Sequence, residues 1–284
     1  MTKPLLLGAV AYDPKVVTIW DGFQRWFAQH NFTFDYILYS NYEQQVEGHF
    51  TGHFHVAWNS PLAWLQTERI ATQTGHSVKT LAMRDSDCDL TSVIAVRRDS
   101  AIQCVQDLRH KIVAVGASDS PQATLIPLLY LAEAGLDPEK DFQVQKFDLL
   151  VGKHGDHIGG ERHAVKALLN GEVDAACMID SNHLLFAREG TLPANSTRII
   201  AQTAEYDHCN FTVLDTAPEK AVAQFRSLLL SMSYDDPQTR PLFDLEGLKQ
   251  WRPGRTEKYA LLARAVDRFH TIDAFVDQIS NAYR

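Results

Sequence analysis

The chain has 284 residues, long for one compact core and comfortable for two lobes of ordinary size. Its 27 Lys and Arg against 35 Asp and Glu leave a net charge of −8, and no basic stripe runs along it, which excludes nucleic acid as a partner. No run of about 18 apolar residues occurs, which excludes a membrane span. The N-terminal apolar run is too short for a signal h-region and flows into the first strand. As given, the sequence reads as cytoplasmic, or as periplasmic if a leader has been removed. The four cysteines, Cys88, Cys104, Cys177 and Cys209, form no Cys-x-x-Cys pair and are expected as reduced thiols.

In chain order, Leu5 to Val10 reads as a buried strand. Asp13 and Pro14 open a helix to Gln29 with Val16, Val17, Ile19, Trp20, Phe23, Trp26 and Phe27 at helical spacing. Phe32 to Leu38 alternates as a strand, Asn41 caps a short helix from Tyr42, and His55 to Trp58 forms a third strand. A helix follows Asn59-Ser60-Pro61. Strands are expected at Thr91 to Val96 and Lys111 to Val115, then a loop and a helix through Leu125 and Tyr130 stopped by Gly135. Phe142 to Phe147, Val173 to Met178, Ile199 to Gln202 and Phe211 to Leu214 complete the strands, with a helix from His163 to Leu169. The remainder, from Pro218, reads as mainly helical.

Two βα series imply an α/β protein with a mostly parallel sheet in each lobe and ligands at the carboxyl ends of the strands. The expected lobes are 1–90 plus 206–284, with the tail rejoining the first lobe, and 91–205. Two crossovers between them would act as a hinge.

Three segments carry a resemblance. They are Tyr42 through Trp58, Thr91 through Ser100 with the Lys111 strand, and His163 through Ala176 with its Ala167-Leu168-Leu169-Asn170-Gly171-Glu172-Val173-Asp174-Ala175 run. In this order and spacing the chain resembles the phosphonate-binding proteins of bacterial ABC importers, within the type II periplasmic-binding fold. The resemblance covers most of residues 4–215. It implies a ligand held by a hydroxyl-rich loop at a helix N-terminus, here Ser118 to Thr124, with Ser120, Gln122 and Thr124 as candidate contacts. Pro121 removes a donor from that loop and Asp119 adds negative charge. The family's first-crossover aromatic falls near Leu90, and its ligand histidine aligns with Glu161.

Further candidates come from the residues themselves. Tyr12 follows the first strand, Trp58, Asn59 and Ser60 end the third, and Asp180 and Asn182 follow the strand after Asp174. Residues 153–163 place His154, His157 and Glu161 on a glycine-rich stretch, and His208 lies on the return crossover beside Cys209. Imidazole plus carboxylate suits zinc, iron or manganese, so His154, His157, Glu161 and His208 form a candidate metal set with Cys209 or Cys88 nearby. Without metal, His157, Glu161 and His208 would hydrogen-bond an organic anion. Replacing His157 or Glu161, read as loop residues, is expected to weaken ligand binding with little loss of stability. His49, His53 and His55 read as a structural turn.

The expected function is capture of a small anionic or zwitterionic solute, phosphonate-like or an organic acid, in the cleft between the lobes. That is the work of a solute-binding protein, with an ABC permease as partner if the chain is exported. The alternative is a cytoplasmic enzyme on the same fold acting on a small organic acid, with a divalent metal polarising the substrate and His157 or Glu161 moving the proton.

Overall fold

The computed structural model describes residues 3–138, 140–155 and 159–283. The chain forms two units. Unit 1 holds Met1–Cys88, Asp207–Tyr259 and Ile272–Arg284, and unit 2 holds Asp89–Tyr206 and Ala260–Thr271.

Unit 1 begins with β1 (Leu5–Val10), α1 (Lys15–Gln29), β2 (Phe34–Tyr39), α2 (Tyr42–Phe50), β3 (Val56–Asn59), α3 (Pro61–Thr74) and β4 (Val78–Arg84). Unit 2 takes over with β5 (Ser92–Arg97), β6 (Ile112–Val115), α4 (Ile126–Glu133), β7 (Gln143–Lys146), α5 (Glu161–Asn170), β8 (Ala175–Ile179), α6 (Asp180–Arg188) and β9 (Thr197–Gln202). The chain returns to unit 1 as β10 (Asn210–Leu214), α7 (Glu219–Ser231), α8 (Arg240–Glu246) and β11 (Trp251–Pro253). Then α9 (Ala260–Phe269) lies in unit 2 and α10 (Asp273–Tyr283) in unit 1.

Local chemistry sets the helix ends. Asn41 accepts the Gln44 N–H at 2.8 Å to start α2, and Ser60 accepts the Ala63 N–H at 3.1 Å to start α3 with Pro61 in its first turn. Gly75 ends α3 in the left-handed region, where φ = 76° costs glycine nothing.

The unit 1 sheet runs β11-β4-β10-β3-β1-β2 and the unit 2 sheet β7-β6-β8-β5-β9. Both are mixed rather than mostly parallel. Parallel pairs join β1 to β2 and β3, and β6 to β7 and β8. The strands that follow a crossover, β5 and β10, are instead inserted antiparallel to both neighbours. The tail also departs from expectation, because α9 covers unit 2. Its stripe of Leu262, Ala265 and Val266 is buried, and Arg264 and Arg268 pair with Glu133 at 3.2 Å and Asp137 at 2.6 Å.

The unit 1 core is aromatic, with Trp20, Phe23, Phe27, Trp58, Phe211, Phe225 and Trp251 in one cluster. In unit 2, alternate residues of β5 feed two cores: Ile94 and Val96 pack on one face of the sheet, Val93 and Ala95 on the other. That explains why this strand reads as an unbroken apolar run.

Candidate functional site

In unit 2 the loop after β6 turns into a π-helical segment, Pro121–Leu125, that runs on into α4. All three predicted contacts here are buried, and each is tied to the chain. Ser120 Oγ accepts the Ala123 N–H at 3.2 Å, Gln122 Nε2 donates to the Gly155 carbonyl at 2.7 Å, and Thr124 Oγ1 donates to the Ala117 carbonyl at 2.7 Å. The Asp119 carboxylate accepts N–H groups of Gly152 at 2.5 Å and His154 at 3.3 Å, which folds residues 149–155 against the loop. Gly155 is required by this closeness: a Cβ there would collide with Ser120 Oγ, and its φ is 68°.

A second network fixes the same turn from β5. Ser92 Oγ donates to the Gln122 carbonyl at 2.5 Å, so at its 2.7 Å contact the Tyr206 hydroxyl is the donor. Burial holds that phenol well above its ordinary pKa, with Glu161 and Asp180 adding negative field. Beside it, Gln202 Nε2 donates to Thr91 Oγ1 at 2.8 Å and Thr91 donates to Asp180 Oδ2 at 2.9 Å. Thr91, Ser92, Gln202 and Tyr206 were not singled out from sequence. The one signal is a hydroxyl pair, Thr91-Ser92, opening an otherwise apolar strand.

Glu161 is the first residue of α5 and fully buried. Its Oε2 accepts the Ile179 N–H at 3.1 Å and the Asn182 amide at 2.8 Å, locking the β8-to-α6 turn. It is therefore a structural carboxylate rather than the loop residue expected, and its field helps push the buried Cys177 thiol up to about 12 after desolvation. Asp180 opens α6, half-buried at the carboxyl end of β8. His154 is buried with φ = 52°. His157 lies outside the described residues.

In unit 1, Trp58 is core. Its ring lies 4.6 Å from Phe211 and 6.0 Å from Trp251, and the Arg84 guanidinium sits over it at 5.1 Å. Asn59 is fully buried, donating to Thr212 Oγ1 at 3.0 Å and accepting from Gln45 at 2.8 Å, and Ser60 serves as the α3 cap. These three have internal work that the sequence reading assigned to a ligand. Tyr12 is half-buried against the same core. His208 Nδ1 lies 3.1 Å from Cys209 Sγ and 3.4 Å from Asp87 Oδ1. Among the described residues, Asp87, His208 and Cys209 are the group whose ligand atoms converge within 4.8 Å. Of the expected metal set, His154 and Glu161 belong to unit 2 and His208 to unit 1, His157 lies outside the described residues, and Glu161 is already engaged by Ile179 and Asn182.

The family described as "ABC transporter, phosphonate, periplasmic substrate-binding protein" matches residues 10–259. No curated protein matches the chain in sequence. Among solved structures, PhnD1 from Prochlorococcus marinus in complex with methylphosphonate is similar at 18% identity and a TM-score of 0.70, over 95% of this chain and 99% of that one. XAC2383 from Xanthomonas citri bound to ATP is similar at 15% identity and a TM-score of 0.69, over 99% of each chain. The periplasmic aliphatic sulphonate-binding protein SsuA from Escherichia coli follows at 17% and 0.62, over 97% of this chain and 94% of that one. At such identities the likeness carries the fold, which is the type II periplasmic-binding class. The family match favours binding of a small anionic solute over the enzymatic alternative. With that match spanning the two units, the chain belongs to the periplasmic substrate-binding proteins of ABC phosphonate transporters.

Proposed function

We propose that the protein captures a small oxyanion bearing an amino group, an aminoalkylphosphonate or aminoalkylsulfonate, and passes it to an ABC permease in the periplasm. The periplasmic setting, one of the two expected, rests on the family match. The neighbours that hold methylphosphonate or bind aliphatic sulphonates support an oxyanion of this size.

The observation that carries the amino group is the composition of the unit 2 polar set. Thr91, Ser92, Gln122, Asn182 and Gln202 offer hydroxyls and amides, while Asp119 and Asp180 add carboxylates, and this set contains no Lys or Arg. A plain dianion there meets the like charge of Asp119 and Asp180. A zwitterion places its oxyanion toward the helix start at Ser120 and its ammonium at Asp180. Asp180 suits that task because Thr91 orients its carboxylate and the residue is only partly buried. In this reading Ser120, Gln122 and Thr124 shape the turn. His208 and Glu161 are withdrawn as contacts, since Asp87, Cys209, Ile179 and Asn182 engage them.

Titration calorimetry with 2-aminoethylphosphonate and methylphosphonate tests the proposal. A charge-assisted hydrogen bond is worth about 1.5–3 kcal/mol, so the amino compound should bind roughly tenfold or more tighter, and Asp180→Asn should erase the difference. Equal affinity for the two compounds in the unaltered protein contradicts the amino assignment.

A further inference from the structure

Unit 1 contains a second cluster of reactive side chains that the solute reading does not use. Asp87, His208 and Cys209 are 2%, 8% and 2% exposed. They stand where the chain enters and leaves the unit: Asp87 just precedes the boundary at Cys88, and His208 just follows the one at Asp207. We propose that Asp87 Oδ1, His208 Nδ1 and Cys209 Sγ form a binding site for a divalent transition metal of the zinc type.

Geometry supports this first. Tetrahedral zinc with nitrogen near 2.0 Å and thiolate near 2.3 Å needs ligand–ligand edges of about 3.3–3.6 Å. The observed edges are 3.4 Å between His208 Nδ1 and Asp87 Oδ1 and 3.1 Å between His208 Nδ1 and Cys209 Sγ, with all three atoms within 4.8 Å of one another. Both edges from His208 Nδ1 lie within a few tenths of an ångström of that range.

The ligands are also held in place from behind, as metal ligands generally are. Arg84 grips Asp87 through Nε at 2.5 Å and Nη2 at 2.9 Å, and is itself held by Glu246 at 2.9 Å. The His208 N–H donates to the Asp87 carbonyl at 2.8 Å, and its own carbonyl accepts the Tyr259 hydroxyl at 2.6 Å.

Charge supplies the third argument. Arg84 opposes a neighbouring dication, yet it is not alone: Asp87 and Glu246 are both buried beside it. Counting Arg84 as +1, Asp87 and Glu246 as −1 each, a Cys209 thiolate as −1 and the ion as +2, the cluster sums to zero. Nitrogen, sulfur and one carboxylate oxygen form a borderline set that favours zinc over magnesium or calcium. Binding releases the thiol proton to solvent and involves no redox step.

The test uses the full chain without a tag, stripped by chelator, in a Cys88→Ser/Cys104→Ser background that removes the two more accessible thiols. Zinc alone, or cobalt(II) alone as a coloured substitute, is titrated in. We expect one equivalent bound and a thiolate-to-cobalt charge-transfer band that Cys209→Ser abolishes, and affinity lowered by about tenfold or more in His208→Gln. Should Cys209→Ser fail to fold, the parent background still decides: zinc must protect Cys209 from maleimide labelling under conditions where the apoprotein labels. Absent metal, binding that survives in both variants, or labelling indifferent to zinc overturns the site.

Discussion

His49 offers a quantitative check on the packing of unit 1. Its ring stacks on Phe54 at 4.9 Å and is 3% exposed, Nε2 lies 3.4 Å from the His55 carbonyl, and Nδ1 has no partner among the described residues. Desolvation pushes its pKa down from 6.5 to about 4, with the positive field of His55 adding to it and the His55 carbonyl opposing it. A histidine depressed in the folded state stabilises the protein fully above its unfolded pKa. That stability is lost as pH falls, because the unfolded imidazole takes a proton that the folded one refuses. Linkage puts the loss at about 2 kcal/mol between pH 7.5 and pH 5, rising to about 3 kcal/mol below pH 4. Urea unfolding at the two pH values, run on the unaltered protein and on His49→Leu, isolates the contribution. The variant should lose about 2 kcal/mol less than its parent over that interval. Equal losses in the two proteins would mean that His49 titrates normally and is not sealed as described.

Two further substitutions separate structural residues from ligand contacts. Glu161→Ala leaves the buried Ile179 N–H and the Asn182 amide without their acceptor, so it should cost about 2–4 kcal/mol in chemical unfolding, where the loop reading predicted almost none. A loss under about 0.5 kcal/mol would return Glu161 to the candidate contacts. Trp58→Ala opens the aromatic cluster around Phe211 and Trp251 and should cost about 3–5 kcal/mol, a ligand-facing tryptophan much less.

Much of the fold is legible because local chemistry and tertiary context agree. Asn41 and Ser60-Pro61 mark helix starts that the structure places there, and β1 spans the Leu5–Val10 run. What escapes is whatever depends on partners distant in sequence. β4 reads Val-Lys-Thr-Leu-Ala-Met-Arg and becomes a strand because β10 and β11 pair with it on either side. The stripe on α9 predicts a helix, but an amphipathic pattern does not say which core it covers.

The candidate site divides in the same way. The helix start at Ser120 is visible as a motif, and Asp180 is visible from its place after a strand. The network from Gln202 through Thr91 to Asp180, and the link from Tyr206 through Ser92 to the Gln122 carbonyl, need the antiparallel pairing of β5 with β8 and β9 and the Leu90–Tyr206 bridge. Polar residues at strand ends also look alike in sequence whether they face a ligand or a buried network, which is why Asn59 and Ser60 were read as contacts. His208 is legible as a metal-ligand candidate, but its partner Asp87 is distant in sequence, and a backbone bond and a side-chain approach that only the fold creates bring the two together.

The most direct test of solute capture is calorimetric titration of the purified protein with 2-aminoethylphosphonate, with sulfate as a control anion. The account predicts saturable binding at one solute per chain, absent with sulfate. No heat with the aminoalkylphosphonate, its sulfonate counterpart or methylphosphonate would contradict it.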